Sequence, residues 1–229
     1  MAFTSSQHTV KRFDAELDSL VMQVLEMARA ATQQVARAVD AFRLGDVDTA
    51  RDVIATDDII NRRDIDIDQR CIRLLTCRQP VSTDLRLIIS LSKAVQDLER
   101  IGDEAKNIAT KALTIQQRGS ALRRDIASDV NRLATLVLQR FQTVQGTLAP
   151  LNAEQAWGLL NQGEDAVDAA FEDSLRALST HALDGGPALA TLIDAVLVLR
   201  ALKRVSDHAE NLAEYVIFIV EGQDVRHAR

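Results

Sequence analysis

Glu99 and Asp103 stand four residues apart in a stretch with helical periodicity. At 100° per residue both carboxylates leave the same face, one turn apart. They belong to a stripe of Ile89, Ser92, Gln96, Glu99, Asp103 and Asn107 that runs from apolar into carboxylate and amide. Two acids at this spacing repel by a few tenths of a kcal/mol. A cation that prefers oxygen ligands is one way to offset that repulsion. The bland alternative is a solvated acidic face on which Arg100 and Lys106 form surface ion pairs of little worth.

The chemistry recurs. Residues 97–109 read DLERIGDEAKNIA and residues 201–213 read ALKRVSDHAENLA, with six of the thirteen positions identical at an offset of 104. A second echo, at an offset of 107, sets Asp57-Asp58-Ile59-Ile60-Asn61 against Glu164-Asp165-Ala166-Val167-Asp168. Internal self-similarity of this kind marks a repeated structural unit. The candidate metal ligands are therefore Glu99, Asp103, Asp58 and Asn61 in the first half, and Asp207, Asp165 and Asp168 in the second. The halves are not equal. Lys203 stands where Glu99 stands in the first half, and an ammonium beside Asp207 neutralises it internally and disfavours a divalent cation. If metal binds, the first half is the better place for it.

Other chemistry is sparse. Cys71 and Cys77 point to different faces of one helix and have no histidine cluster nearby, so reduced thiols are expected, not a bridge or a zinc site. His8 and His227 lie near the ends and His181 at a helix end. His208, beside Asp207, is the one histidine near the acidic stripe, with a surface role expected and metal ligation a minority alternative. No Ser-His-Asp order, nucleophile elbow, Walker loop or glycine-rich phosphate cradle occurs, and no Glu-x-x-His pair suits a di-metal carboxylate enzyme. A non-enzymatic protein is expected, with Trp157 and the phenylalanines serving packing.

These residues need rigid, parallel supports. Apolar residues make up 47% of the chain, aromatics only 3%, and there are 9 Gly and 3 Pro in 229 residues, a composition that favours long helices over strands and turns. Breakers at Gly45-Asp46, Gln79-Pro80, Gly119-Ser120, residues 149–152 and residues 184–187 leave six helical stretches: 7–44, 46–78, 81–118, 121–148, 153–182 and 187–221. Ser82 or Thr83 is expected to cap the third, Asn152 with Gln155 to form a capping box on the fifth, and Pro187 to open the sixth. Leu91, Ala94, Leu98, Ile101, Ala105 and Ile108 give the third helix a 3-4-3-4 apolar seam, repeated at Ala195, Val198, Leu202, Val205, Ala209 and Leu212. The expected fold is all-α, two pseudo-symmetric three-helix bundles over residues 7–118 and 121–222.

The net charge is −6 with dispersed basic residues, which argues against nucleic acid. Residues 1–10 lack an apolar signal core, and the most apolar run, 215–220, is too short to cross a bilayer. A cytoplasmic protein is expected, reaching a membrane only through partners.

Residues 79–109, with Glu99-Arg100-Ile101-Gly102-Asp103 at their centre, resemble the signature stretch of the PhoU family. Residues 215–227 and the acidic stretch 57–61 with residues 71–80 add to the likeness, which spans the chain. The resemblance implies paired three-helix bundles, often as homodimers, with E/D-x-x-x-D motifs able to hold clusters of metal ions (Fe, Zn, Mg or Mn). It also implies negative control of the phosphate-starvation response, as an adaptor between the ATPase of the phosphate ABC transporter and a sensor histidine kinase. The second motif departs from the pattern: residues 203–207 read Lys-Arg-Val-Ser-Asp, so only Asp207 carries over as an acid. Metal buffering by the acidic face is the alternative function.

Overall fold

The computed structural model describes residues 11–162, 164–183 and 189–225, without the side chains of 162, 164, 165 and 183. Its elements are α1 (Lys11–Leu44), α2 (Val47–Arg78), α3 (Ser82–Gln117), α4 (Arg124–Leu148), α5 (Ala153–Gln162), α6 (Glu164–Leu183) and α7 (Leu189–Glu221). Among the described residues there is no strand. The stretch expected as one helix over 153–182 is described as α5 and α6 on either side of residue 163, which lies outside the described residues, as do residues 7–10 and Pro187.

Local chemistry sets most boundaries. Gly45 takes a left-handed φ of +70°, and Asp46 then caps α2 by accepting hydrogen bonds from the N–H groups of Asp48 and Thr49. Gln79 ends α2 in the left-handed conformation, its N–H on Leu75 O, immediately before Pro80. Asn152 Oδ1 accepts from the Gln155 N–H at 2.9 Å, the forward bond of the expected capping box. The capping of α3 differs from expectation. Its N-cap is Val81, which has no side chain able to accept; Ser82 is inside the helix at φ +52°, and Thr83 Oγ1 accepts from Arg86 Nη2 instead. α4 starts at Arg124 and not at 121, because Arg123 remains extended.

Every residue of the two apolar seams is at most 1% exposed. Full burial of each Leu, Ile or Val contributes about 1.5–3 kcal/mol, which makes α3 and α7 the central supports. α3 packs on α1 and α2, α7 on α4, α5 and α6, and the repeats meet where α3 lies on α7 and α1 on α4. The α3–α7 pair is antiparallel, since Asp97 reaches residues 208–215 while Arg118 reaches Asp194. The hydrophobic core is continuous across both repeats. No helix among the described residues is long and apolar enough to cross a membrane.

Candidate functional site

In the first repeat the acidic stripe of α3 faces α2. Gly102 permits the approach: a Cβ built on it would lie 3.1 Å from Ile60 Cδ1. α2 meets this face with Asp57, Asn61, Asp64 and Asp68, spaced at helical intervals. Lys106 Nζ pairs with Asp57 Oδ2 at 2.7 Å, Asn61 Nδ2 donates to the same oxygen at 3.2 Å, and Ser92 Oγ donates to Asp68. Asp57 is only 1% exposed. Among the described residues its other oxygen, Oδ1, is buried without a hydrogen-bond partner, as are Asn61 Oδ1 and, in the second repeat, Asp168 Oδ1. Orphaned buried acceptors are rare and call for a donor or an ion.

The electrostatics agree with the spacing. Burial, and then the charges of Asp103, Asp64 and Asp57, hold the Glu99 carboxyl above the usual carboxylate range, and Arg100 relieves this only partly. Burial, followed by the charge of Asp68, does the same to Asp64. Lys106 is stabilised as the ammonium by its hydrogen bond to Asp57, by the Asp57 charge, and then by Asp103 and Asp58. Asp103 and Asp58 are exposed. Of the predicted first-half ligands, Glu99, Asp103 and Asn61 share this face, while Asp58 lies at its solvent edge. Asp64 was missed as a ligand, although its seven-residue spacing from Asp57 is the signal that reveals it. Among the described residues no three His, Cys, Asp or Glu side chains form a group placed to hold a metal ion.

The second repeat places Lys203 Nζ 2.7 Å from Asp168 Oδ1 and 2.7 Å from Asp207 Oδ1. Burial opposes its charge, yet the close contacts with Asp168 and Asp207 keep the ammonium above its ordinary range. At the 107-residue offset Phe171 replaces Asp64 and Leu175 replaces Asp68. The side chain of Asp165 lies outside the described residues.

A polar network joins the repeats. Asp97 is nearly buried on α3. Its Oδ1 contacts His208 Nδ1 at 2.8 Å and accepts from Asn211 Nδ2 at 3.0 Å; its Oδ2 accepts from the Tyr215 hydroxyl at 2.8 Å. Arg204 Nη2 bonds Glu104 at 2.7 Å, and Asp194 meets Arg118 at 2.6 Å and Lys111 at 3.4 Å. His208 is thus not the expected surface residue: it is drawn into the interface because Asp97 faces it from the other repeat. Asn211 follows it there, off the face of Lys203 and Asp207. The series Asp97, Glu104, Lys111, Arg118 repeats every seven residues beside the apolar seam, a spacing that identifies helix-flanking charges.

Cys71 is a buried free thiol whose pKa burial pushes up to about 12, and Cys77 is exposed and free. Trp157 packs on the core and donates to Glu221. His181 Nε2 lies 3.5 Å from Asp125. His8 and His227 lie outside the described residues.

The family model of the PhoU domain matches residues 24–112 and again 130–216, so the repeat is two copies of one domain. The chain is 37% identical over 222 residues to the phosphate-specific transport system accessory protein PhoU homolog of Pseudomonas aeruginosa, covering 97% of this chain and 90% of the relative. Against the accessory protein PhoU of Escherichia coli the identity is 30%, with the same two coverages. The crystal structure of PhoU from Pseudomonas aeruginosa superposes with a TM-score of 0.85 at 36% identity, over 92% of this chain and all of that one. That of the phosphate transport system regulatory protein PhoU from Streptococcus pneumoniae, 23% identical, gives 0.84 over 93% of this chain and 99% of that one, and bears on the fold alone. Two domain matches, 30–37% identity over nearly the whole chain and the shared helical architecture together place this chain in the PhoU family.

Proposed function

We propose that this protein is an accessory regulator of phosphate-specific transport, acting in the cytoplasm as a negative regulator of the starvation response and of phosphate uptake. The observation that carries this reading is 30–37% identity, over nearly the whole chain, to relatives named as accessory proteins of that system. In its finer form the protein is an adaptor, a homodimer that contacts the ATPase of the phosphate ABC transporter and a sensor histidine kinase through exposed helical faces. A scaffold with a continuous core and two dissimilar outer faces suits that role. Deletion of the protein in its host, read with a phosphatase reporter at high phosphate, should derepress the starvation genes; unchanged repression would refute the regulatory reading. Co-purification from cells then tests the adaptor: the ATPase and the kinase should accompany it.

A second reading, cation binding by the first-repeat face, rests on the orphaned Asp57 Oδ1 and Asn61 Oδ1 beside Glu99 and Asp103. Glu99, Asp103, Asp57, Asn61 and Asp64 offer only oxygen donors, which suits a hard divalent ion such as Mg²⁺ or Mn²⁺ better than a thiol-preferring one. A bound ion would offset the burial and the like charges that now raise the Glu99 carboxyl. The paired variant Glu99→Ala/Asp103→Ala should abolish metal uptake in a metal analysis of the purified protein. Unchanged stoichiometry would remove the site.

A further inference from the structure

The two faces occupy equivalent places in the repeat and contain different cations. In the first, the carboxylates of Asp57, Asp64 and Asp103 lie near that of Glu99, and the ammonium of Lys106 pairs with Asp57. In the second, Lys203 lies within 2.7 Å of both Asp168 and Asp207. Its Cα occupies the register of Glu99, so one exchange both removes a ligand and inserts a positive charge between the two acids nearest it. Phe171, in the register of Asp64, removes a further oxygen donor. A divalent ion entering there must expel an ammonium that is covalently tethered and cannot diffuse away, and it finds fewer oxygens to replace its water.

We propose that Lys203 is the built-in cation of the second repeat: it closes that site to divalent ions, so that the chain takes up metal on one repeat only. The inference deepens the cation reading of the first repeat, and its test separates the two. The probe is Mn²⁺ alone, titrated calorimetrically into the full-length chain, with thermal unfolding measured alongside. Asp207→Asn should leave the stoichiometry of the unmodified chain unchanged, whereas Glu99→Gln should reduce it. Lys203→Glu, which restores the repeat motif, should roughly double the bound Mn²⁺ and raise the melting temperature in its presence. If Lys203→Glu does not fold, Lys203→Met serves: it removes the charge and keeps the packing, and Mn²⁺ should raise its melting temperature beyond the rise in the unmodified chain.

Loss of Mn²⁺ from Asp207→Asn overturns the proposal, because the second repeat would then already bind. So does a folded Lys203→Glu with no added Mn²⁺, or a Lys203→Met with no added thermal gain. Should the unmodified chain bind none while Lys203→Glu binds, the first-repeat reading fails and the closure by Lys203 stands.

Discussion

The two repeats share a core and differ on their outer faces. Twelve seam residues of α3 and α7 are buried to within 1% in both, yet the face beside them is carboxylate-rich in one repeat and self-neutralised in the other. The difference follows from what each position must satisfy. A seam residue contributes through apolar area, which any residue of the right size and hydrophobicity supplies. A face residue contributes through charge, and a single exchange from Glu to Lys reverses its sign. The residues beside the seam differ as well: Gly102 lies against Ile60, while the corresponding registers of the second repeat hold Ser206 and the smaller Val167.

The contact between the repeats is the most consequential place to break this comparison. Asp97→Ala removes the shared acceptor of His208, Asn211 and Tyr215. Stranding buried donors in this way costs about 3 kcal/mol, and urea denaturation should show it as a lower midpoint with little change in slope. Gly102→Leu comes next. The new side chain meets Ile60 where even a Cβ has 3.1 Å, and overpacking should cost about 2 kcal/mol. Ser206→Gly, which puts the first repeat's residue at the matching position of the second, should cost less than 1 kcal/mol, as a helical glycine does. Equal losses from these two would mean that the packing has not diverged.

Removing Lys203 should have a smaller effect. Lys203→Met leaves Asp168 and Asp207 facing each other and should destabilise the chain by about 0.5–1 kcal/mol in the absence of metal. The folded-state pKa of Lys203 is raised, so its contribution is complete below the ordinary lysine pKa of about 10.4 and disappears as the pH rises through the higher folded value. The gap between variant and parent should therefore hold at neutral pH and close in strong alkali. Glu99→Gln should act in the opposite direction. The folded-state pKa of Glu99 is raised by burial and like charge, so its ionisation opposes folding. The variant should gain a few tenths of a kcal/mol at pH 7. That gain should vanish below about pH 4, where the carboxyl is protonated in folded and unfolded chains alike. Denaturation across that range checks both the sign and the pH window.

Much of this was legible in the sequence. The 3-4 seams, the breakers and the two echoes determined long helices, a repeated unit and an inequality at Glu99 and Lys203, because helical periodicity and offset are properties of the chain itself. Only the tertiary structure decided which residues meet across helices. It brought Asp57 and Asp64 to Glu99, took His208 and Asn211 away from the acidic face to Asp97, and set Lys203 between two acids from different helices. The reason is geometric. Spacing along one helix fixes which side chains share its face, whereas the rotation and depth at which two helices pack fix what that face confronts. That depth is set here by a glycine against an isoleucine, 42 residues apart in the chain.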